Sequence, residues 1–263
     1  MGAYRSLFAA RFRALLQYRG AAIGGMACQI FFGLILVMVY EAFYRSGSRS
    51  QPMTISQVRS YVWLGQAFLA MLPWNVEGEQ RLMIRTGSVA YELLRPVRLY
   101  SLWFARSLAW RTAPTVMRAV PILVVAMAFF GLTLPPSPAA AGAFVLVMGG
   151  ALLLSVAMTT LFTIFLMWTV SGDGFTMLFY AMVILLSGLN IPIPLFPVWL
   201  RPIVEALPFR CLVDVPYRMY VGYADPGSAF GLLALQLAWS GVTVGVGFLL
   251  MRGGLRRLTI QGG

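Results

Sequence analysis

EGEQRLMIRTGSVAYELLRPVRLYSLWFARSLAWR, residues 77–111, holds six arginines and three glutamates between two hydrophobic segments. The rest of the chain carries little charge, so this block decides how the apolar segments are arranged around it. A polar block with helical patterning in that position is typical of a loop that anchors a protein at a membrane face, or of a docking surface for a partner. We predict that residues 77–111 do both.

The composition predicts a membrane protein. Of the 263 residues, 60% are hydrophobic and 11% are charged, and the mean hydropathy is +0.80. Several runs of about twenty residues lack charge, as membrane-spanning helices do. The net charge of +12 is compatible with binding to nucleic acid or to anionic lipid. Because the arginines flank apolar runs, we predict contact with membrane lipids and no nucleic acid.

The missing residue types exclude several chemistries. The sequence contains no histidine, and its twenty basic residues are all arginine. A P-loop lysine, a Schiff-base lysine and a histidine-based triad or metal site are therefore excluded. Cys28 and Cys211 are interpreted as ordinary packing residues. We predict no catalytic residue and no metal site in this chain.

The apolar runs predict an all-α integral membrane protein with six transmembrane helices and no internal repeat. The predicted spans are residues 21–43, 60–76, 112–132, 140–169, 175–190 and 229–251. Residues 191–223 begin with an apolar stretch that holds four prolines, Pro192, Pro194, Pro197 and Pro202, and continue as a partly polar segment. Because broken backbone at membrane depth needs burial in protein or in a cavity, we predict short re-entrant helices there.

The two ends of the chain indicate its orientation. Residues 4–19 alternate apolar and arginine positions and predict an amphipathic interfacial helix, with a plain extension of the first span as the alternative. Six spans would place both termini on one side of the membrane. The arginine-rich segments 4–19, 77–111 and 252–257 then share that side, which the positive-inside rule makes cytoplasmic.

Two glycine pairs predict close helix packing. Gly20 with Gly24 and Gly241 with Gly245 have the spacing that lets another helix approach closely. Such a contact could form within one subunit or between two subunits, and the sequence leaves both alternatives open.

Two motifs, together with the order of the predicted segments along the chain, resemble those of a known family. One is a Gly-x-x-x-x-x-Leu-Leu-x-Pro pattern at Gly87, Leu93, Leu94 and Pro96, and the other is a run marked by Leu207, Pro208, Pro216 and Gly222. Over nearly its whole length, the chain resembles the membrane (permease) subunits of ABC transporters of the type-2 permease class, which have the type V exporter fold.

The resemblance implies how such a protein would work. Residues 1–263 would be a single permease domain that forms a substrate pathway with a second permease subunit, identical or homologous. Two copies of a separate ABC ATPase would bind ATP and Mg²⁺, which leaves no cofactor in this chain. The complex would export an amphipathic or lipid-like solute across the plasma (inner) membrane of a prokaryote, with both termini cytoplasmic.

In this family a coupling helix sits in a groove of the ATPase, and the matching segment is residues 82–97. An apolar strip that includes Val89, with charge around it, suits such a groove. The predicted contact residues are Met83, Ile84, Arg85, Gly87, Tyr91, Glu92, Leu93, Leu94, Arg95 and Pro96. An interfacial helix that grips anionic headgroups is the alternative, and the three glutamates count against it. Residues 98–111 are interpreted as an interfacial lead-in to the third span.

The pathway in this family is lined mainly by the second and fifth spans. Methionine and aromatic side chains suit an amphipathic solute, and the residues predicted to line the pathway are Gln66, Met71, Trp74, Met177, Tyr180 and Asn190. Ordinary helix packing is the alternative for each of them. Arg118, inside the third span, is interpreted as snorkelling toward headgroups or as contacting an anionic substrate or lipid.

Two other function classes remain as alternatives. One is an integral membrane enzyme that acts on lipid-linked substrates, which the absence of histidine and the scarcity of paired carboxylates disfavour. The other is a secondary transporter, which the lack of internal symmetry and of charge within the spans disfavours.

Overall fold

The computed structural model describes residues 2–46, 51–169 and 173–255, and these ranges contain helices and turns but no strand. The α-helices are α1 (Gly2–Leu16), α2 (Arg19–Ser46), α3 (Ile55–Ala67), α4 (Gly78–Arg85), α5 (Val89–Leu93), α6 (Leu99–Phe129), α7 (Pro138–Phe165), α8 (Asp173–Leu186), α9 (Arg201–Ala206), α10 (Asp214–Tyr220) and α11 (Ala229–Leu255). Short 3₁₀ turns occupy Leu69–Met71, Ile193–Leu195, Pro208–Leu212 and Pro226–Ser228.

Four helices, α2, α6, α7 and α11, are long and apolar enough to cross a membrane. The predicted all-helical, multi-pass membrane protein is confirmed to that extent. The second and fifth predicted spans, 60–76 and 175–190, are instead occupied by α3 and α8, which have 13 and 14 residues. Helices of that length rise about 20 Å, short of the roughly 30 Å of a hydrocarbon core. The count of six spans is therefore not confirmed.

The third span is longer than predicted. α6 begins at Leu99, where residue 112 was predicted, and continues through Pro114 and Pro121 to Phe129. Residues 98–111, interpreted as an interfacial lead-in to the third span, are continuous with it from Leu99 onward, and their position at the interface stays a prediction. Those residues continue the helix because α1 and α7 cover its first turns.

The other boundaries shift by a few residues. α1 lies close to the predicted segment 4–19, and α2, α7 and α11 lie close to 21–43, 140–169 and 229–251. The connection between the fourth and fifth predicted spans lies mostly outside the described residues. So do Arg256 and Arg257, which belong to the arginine-rich segment 252–257.

α3 lies at the centre of the molecule. Thr54 caps its start, because its side chain accepts a hydrogen bond from the Gln57 amide while the Gln57 side chain accepts one from the Thr54 amide. Tyr61, Trp63 and Leu64 are fully buried, and α2, α6 and α10 pack around them. The apolar composition of this segment therefore reflects burial in protein as much as contact with lipid.

α7 and α11 pack along each other, and Gln236 of α11 joins them to the 3₁₀ turn before α10. Its Nε2 donates hydrogen bonds to the backbone oxygens of Val147 and Cys211, both at 2.9 Å. Gly150 of α7 leaves the space that this side chain fills. Cys211 and Cys28 are both free thiols; Cys211 is buried, in agreement with its interpretation as a packing residue, whereas Cys28 is exposed.

The predicted glycine pairs face open space. In the described part of the chain, a Cβ added at Gly20, Gly24, Gly241 or Gly245 would meet nothing within 4 Å. No described helix of the same subunit therefore uses these pairs, and a contact between subunits stays a prediction.

Residues 191–223 form a series of short helical turns, and Asp214 holds them against α3. Its fully buried carboxylate accepts hydrogen bonds from the Ile193 amide at 3.3 Å, the Tyr61 hydroxyl at 3.4 Å and Arg218 Nη1 at 3.2 Å. Ile193 and Pro194 are buried. The first proline-broken turn is thus enclosed by protein, whereas Val198 and Trp199 after it are exposed, so the burial that the apolar sequence predicts is met for only part of the stretch.

Gly222, the last residue of the second motif, is required by the backbone. Its φ of 69° lies in the left-handed region, where a Cβ is strained, and a Cβ there would lie 2.5 Å from Pro136 Cγ. We expect Gly222→Ala to reduce the free energy of unfolding by about 1–3 kcal/mol. The thermal midpoint in detergent should fall accordingly. Gly231→Ala in α11, where a Cβ meets nothing within 4 Å, is the matched control; equal midpoints would contradict this explanation.

Candidate functional site

α4 and α5 expose a patch of large side chains on the connection between α3 and α6. Leu94 is 81% exposed and Tyr91 is 73% exposed, whereas the chain buries most residues of α3. Large apolar side chains grouped at an exposed position mark an interaction surface. We call this patch the α4–α5 surface, and its exposed residues are Leu82, Arg85, Tyr91, Leu93, Leu94, Arg95 and Pro96.

The α4–α5 surface is not the single helix predicted for residues 82–97. α4 ends at Arg85 and α5 begins at Val89, with Gly87 between them at a φ of 72°. A glycine with positive φ ends a helix because it adopts the left-handed conformation at little cost. The two short helices therefore present their side chains in directions that one continuous helix would not.

The break divides the predicted apolar strip. Val89 is fully buried, and Met83 and Ile84 are half-buried against a cluster that α6 contributes. Leu93 and Leu94 face outward. Only the second half of the strip is therefore available to a partner, while the first half attaches the segment to the body of the protein.

Glu92 faces inward, although it was predicted as a contact residue. It is 2% exposed, and its carboxylate lies 2.6 Å from Arg106 Nη1 and accepts a hydrogen bond of 2.8 Å from Trp103 Nε1. Both partners lie on α6, so Glu92 fastens α5 to that helix. The sequence prediction missed Trp103 and Arg106, because their inward orientation depends on the break at Gly87.

α1 is joined to the start of α4. Arg11 forms ion pairs with Glu77 and Glu79, and the Arg98 amide donates a hydrogen bond of 3.0 Å to the Tyr4 hydroxyl. Burial raises the pKa of the Glu77 carboxyl, and the hydrogen bond and charge of Arg11 oppose that rise. The N-terminal helix α1 therefore packs on protein along α6. It also engages two of the three glutamates of residues 77–111, Glu77 and Glu79.

Arg111 of α6 holds the extended segment that joins α3 to α4. It is fully buried, its Nε donates to Thr159 Oγ1 at 2.9 Å, and its Nη1 donates to Asn75 Oδ1 at 2.9 Å. Nη2 donates to the Asn75 carbonyl oxygen. One side chain thus links α6, α7 and residues 72–77.

Three contacts therefore connect the α4–α5 surface to the helices behind it: Glu92–Arg106, Arg11–Glu77 and Arg111–Asn75. We call them the braces. Glu92–Arg106 is a buried ion pair, which holds one geometry because separating it leaves a buried charge without compensation. Arg111 is held by neutral acceptors and Arg11 is partly exposed, and together the three contacts connect α4, α5 and the segment that follows α3 to the helices behind them.

A cavity of about 900 Å³ runs beside α2. Most of its lining is apolar or aromatic, and Trp74 and Tyr180 stack in it with ring centroids 5.7 Å apart. The Tyr40 hydroxyl donates to the Asn190 carbonyl oxygen at 2.6 Å. No carboxylate lies among the described residues that line it. Such a cavity can bind an apolar body and orient it by a few polar groups.

Four of the six residues predicted for the pathway converge on this cavity: Gln66, Trp74, Tyr180 and Asn190. The other two do not line it, since Met71 is buried in the core and Met177 is exposed elsewhere. The expectation that the second and fifth spans supply most of the lining differs from what is observed, because α2 forms the long wall. Within the described ranges no three Asp, Glu or Cys side chains are grouped to hold a metal ion.

Comparison with known proteins gives one family. The sequence model of the family described as "ABC-2 family transporter protein" matches residues 34–262, which include the α4–α5 surface and most of the cavity lining. Neither the comparison with curated proteins nor that with solved structures gave a match.

Proposed function

The chain belongs to the ABC-2 family of transporter proteins, and on that premise we propose that it forms, with a second permease subunit, the pathway of an ATP-driven exporter. Membership of this family makes the chain a transport subunit. We further propose that a separate ATPase, in two copies, binds ATP and Mg²⁺, and that the solute is amphipathic. The second permease is identical or homologous to this one.

The α4–α5 surface carries the proposal. It is an exposed apolar patch bordered by Arg85 and Arg95, placed between two parts of the membrane body. An apolar patch on a short helix, with charge at its edge, suits a groove on a folded partner. We propose that Leu93 and Leu94 enter such a groove on the ATPase.

The braces supply the route from the partner to the cavity. Residues 72–77 continue from the central helix α3 to α4, and Trp74 of that segment lines the cavity. When two ATPase subunits close around ATP, we propose that they displace α4 and α5. Because Arg111 links the same segment to α6 and α7, the displacement would change the shape of the cavity. Rigid-body movement of packed helices is a common form of such transitions.

The orientation follows from charge. We propose that α1, the α4–α5 surface and both termini face the cytoplasm, since arginine-rich segments concentrate on that side of the plasma (inner) membrane of a prokaryote. The second permease would close the open side of the cavity. Exposed aromatic side chains of α2, including Phe31, Phe32 and Phe43, are the proposed contact.

The test is co-purification of this chain with candidate ABC ATPases from the same genome. We expect Leu94→Asn to weaken that complex by about tenfold or more, because a central, fully desolvated side chain contributes about 1–2 kcal/mol or more to an interface. Leu134→Asn is the matched control, since Leu134 is 72% exposed but lies on the connection between α6 and α7. ATP turnover of both complexes is measured in parallel.

Three outcomes would contradict the proposal. The Leu94 variant could retain the full complex, or the two leucine variants could lose it equally. The wild-type chain could also purify alone in the presence of the ATPase. If instead the wild-type chain binds anionic vesicles through this surface and binds no ATPase, the interfacial-helix alternative is correct.

A further inference from the structure

Arg118 lies at one end of the cavity, between two helices that are long enough to cross the membrane. It belongs to α6, and its guanidinium lies against α2 at Gly25, where an added Cβ would come within 2.7 Å of Arg118 Cζ. Its Nη2 donates a hydrogen bond of 3.4 Å to the Ala21 carbonyl oxygen. The glycine is therefore what allows the guanidinium to reach this position.

The charge of Arg118 is not compensated by the protein. Among the residues that the structure describes, no carboxylate lies within ion-pair distance of it, and its Nε has no hydrogen-bond partner. Glu77 and Glu79 line a neighbouring cavity that also touches Arg118, but both are paired with Arg11. An unpaired guanidinium between membrane-crossing helices is costly, and such residues commonly mark a substrate or ion site.

A second polar group stands beside it. Gln29 follows Gly25 by one helical turn, so the two positions share one face of α2. Gln29 is 5% exposed, it lines the cavity, and its Oε1 has no hydrogen-bond partner. The unpartnered Oε1 is an acceptor, so it is expected to receive a hydrogen bond from a water molecule or a ligand hydroxyl, whereas the Nε2 of the same amide is the atom that can donate to an anion.

The remainder of the cavity is apolar. The lining continues along α2 from Gly25 to Phe43, which is about 27 Å of helix, and includes the stacked rings of Trp74 and Tyr180. A volume of about 900 Å³ falls in the range of roughly 300–1,000 Å³ that accommodates small organic ligands. The absence of carboxylates from the described lining selects against a cationic ligand.

We infer that this cavity binds an amphiphile with a single anionic head group, held by the Arg118 guanidinium and within reach of a donated hydrogen bond from Gln29 Nε2, with its apolar body along α2. Carboxylate, sulfate and phosphate share the necessary chemistry, because the planar guanidinium donates two parallel hydrogen bonds to such groups. The inference rests on the proposed function, since it names the class of solute that the permease carries.

Binding of tritiated myristate to the complex of this chain with its ATPase tests the inference. The complex is placed in nanodiscs of phosphatidylcholine, and the label is competed with tetradecyl phosphate, tetradecanol or tetradecyltrimethylammonium. We expect tetradecyl phosphate to compete at least about tenfold better than the alcohol or the cation, since a charge-assisted bidentate contact has about that effect on affinity.

Two variants locate the site. Arg118→Gln should weaken myristate binding by about tenfold, and Gly25→Ala should weaken it as well, because the added Cβ displaces the guanidinium without removing its charge. Arg252→Gln, at the exposed end of α11, is the matched control and should bind as the wild type does. If the Arg118→Gln protein does not fold, myristate binding by the Gly25→Ala variant decides whether Arg118 forms the site.

Equal competition by the alcohol and the phosphate, or unchanged binding in both variants, would overturn the inference. Adding phosphatidylglycerol to the nanodiscs separates two sources of the anion. Arg118-dependent displacement of myristate by that lipid identifies a membrane lipid as the occupant, and no displacement identifies a smaller amphiphile. A chain that binds myristate through Arg118 but associates with no ATPase would overturn the proposed function and leave this site standing.

Discussion

Glu92→Ala is expected to detach α5 from α6 and to abolish association with the ATPase. The substitution leaves the buried Arg106 guanidinium without its carboxylate and the Trp103 indole N–H without its acceptor. Breaking a buried ion pair by removing one partner costs about 3–5 kcal/mol. The loss should appear as a lower thermal midpoint in detergent and as loss of the complex on co-purification.

Two controls isolate the cause. Glu79→Ala removes a glutamate from the same region whose side chain is 49% exposed, and a pair of that kind contributes only about 0–1 kcal/mol. The double substitution Glu92→Leu with Arg106→Met replaces the buried pair by apolar side chains, which is often neutral, and should restore the midpoint. A Glu92→Ala protein that melts and co-purifies like the wild type would show that this brace does not hold α5.

Arg111→Met is expected to loosen residues 72–77 while leaving α4 and α5 attached through Glu92. The substitution keeps most of the volume of the side chain but removes its donors to Asn75 and Thr159. An unsatisfied buried polar group costs about 1–3 kcal/mol, so local opening of this segment should become about tenfold more frequent or greater. Amide hydrogen exchange measured on peptides that cover residues 72–77 reports that opening.

Under the proposed function, the Arg111 variant should still co-purify with the ATPase. It should hydrolyse ATP without the stimulation that a transported solute produces, since the cavity no longer follows the α4–α5 surface. Arg252→Met provides the matched control, because Arg252 lies at the exposed end of α11. Unchanged exchange in residues 72–77 would remove Arg111 from the proposed route.

Several features could be predicted from the sequence. The all-helical class and the four long helices follow from long, mostly apolar runs, which are a property of each segment by itself. The family follows from motifs at Gly87 and Pro216 together with the order of segments. The exposure of Leu94 was anticipated, and the family resemblance implied the grouping of Trp74 with Tyr180 that the cavity shows.

The missed features depend on tertiary contacts. Glu92 was predicted to face a partner because residues 82–97 were interpreted as one helix, although the sequence Thr86-Gly87-Ser88 contains a typical signal for ending one helix and starting another. The contact between Arg111 and Asn75 joins residues far apart in sequence, and no local sequence pattern predicts such a contact. The short lengths of α3 and α8 were missed because burial in protein and burial in lipid select the same side chains.

The braces differ in their exposure to solvent, and this difference sets the contact of α1 apart. Glu92 and Arg111 are sealed from solvent, whereas the Arg11 side chain is 28% exposed and is open to screening by salt. The attachment of α1 to α4 is therefore expected to weaken as the ionic strength rises, while α5 stays joined to α6 through Glu92.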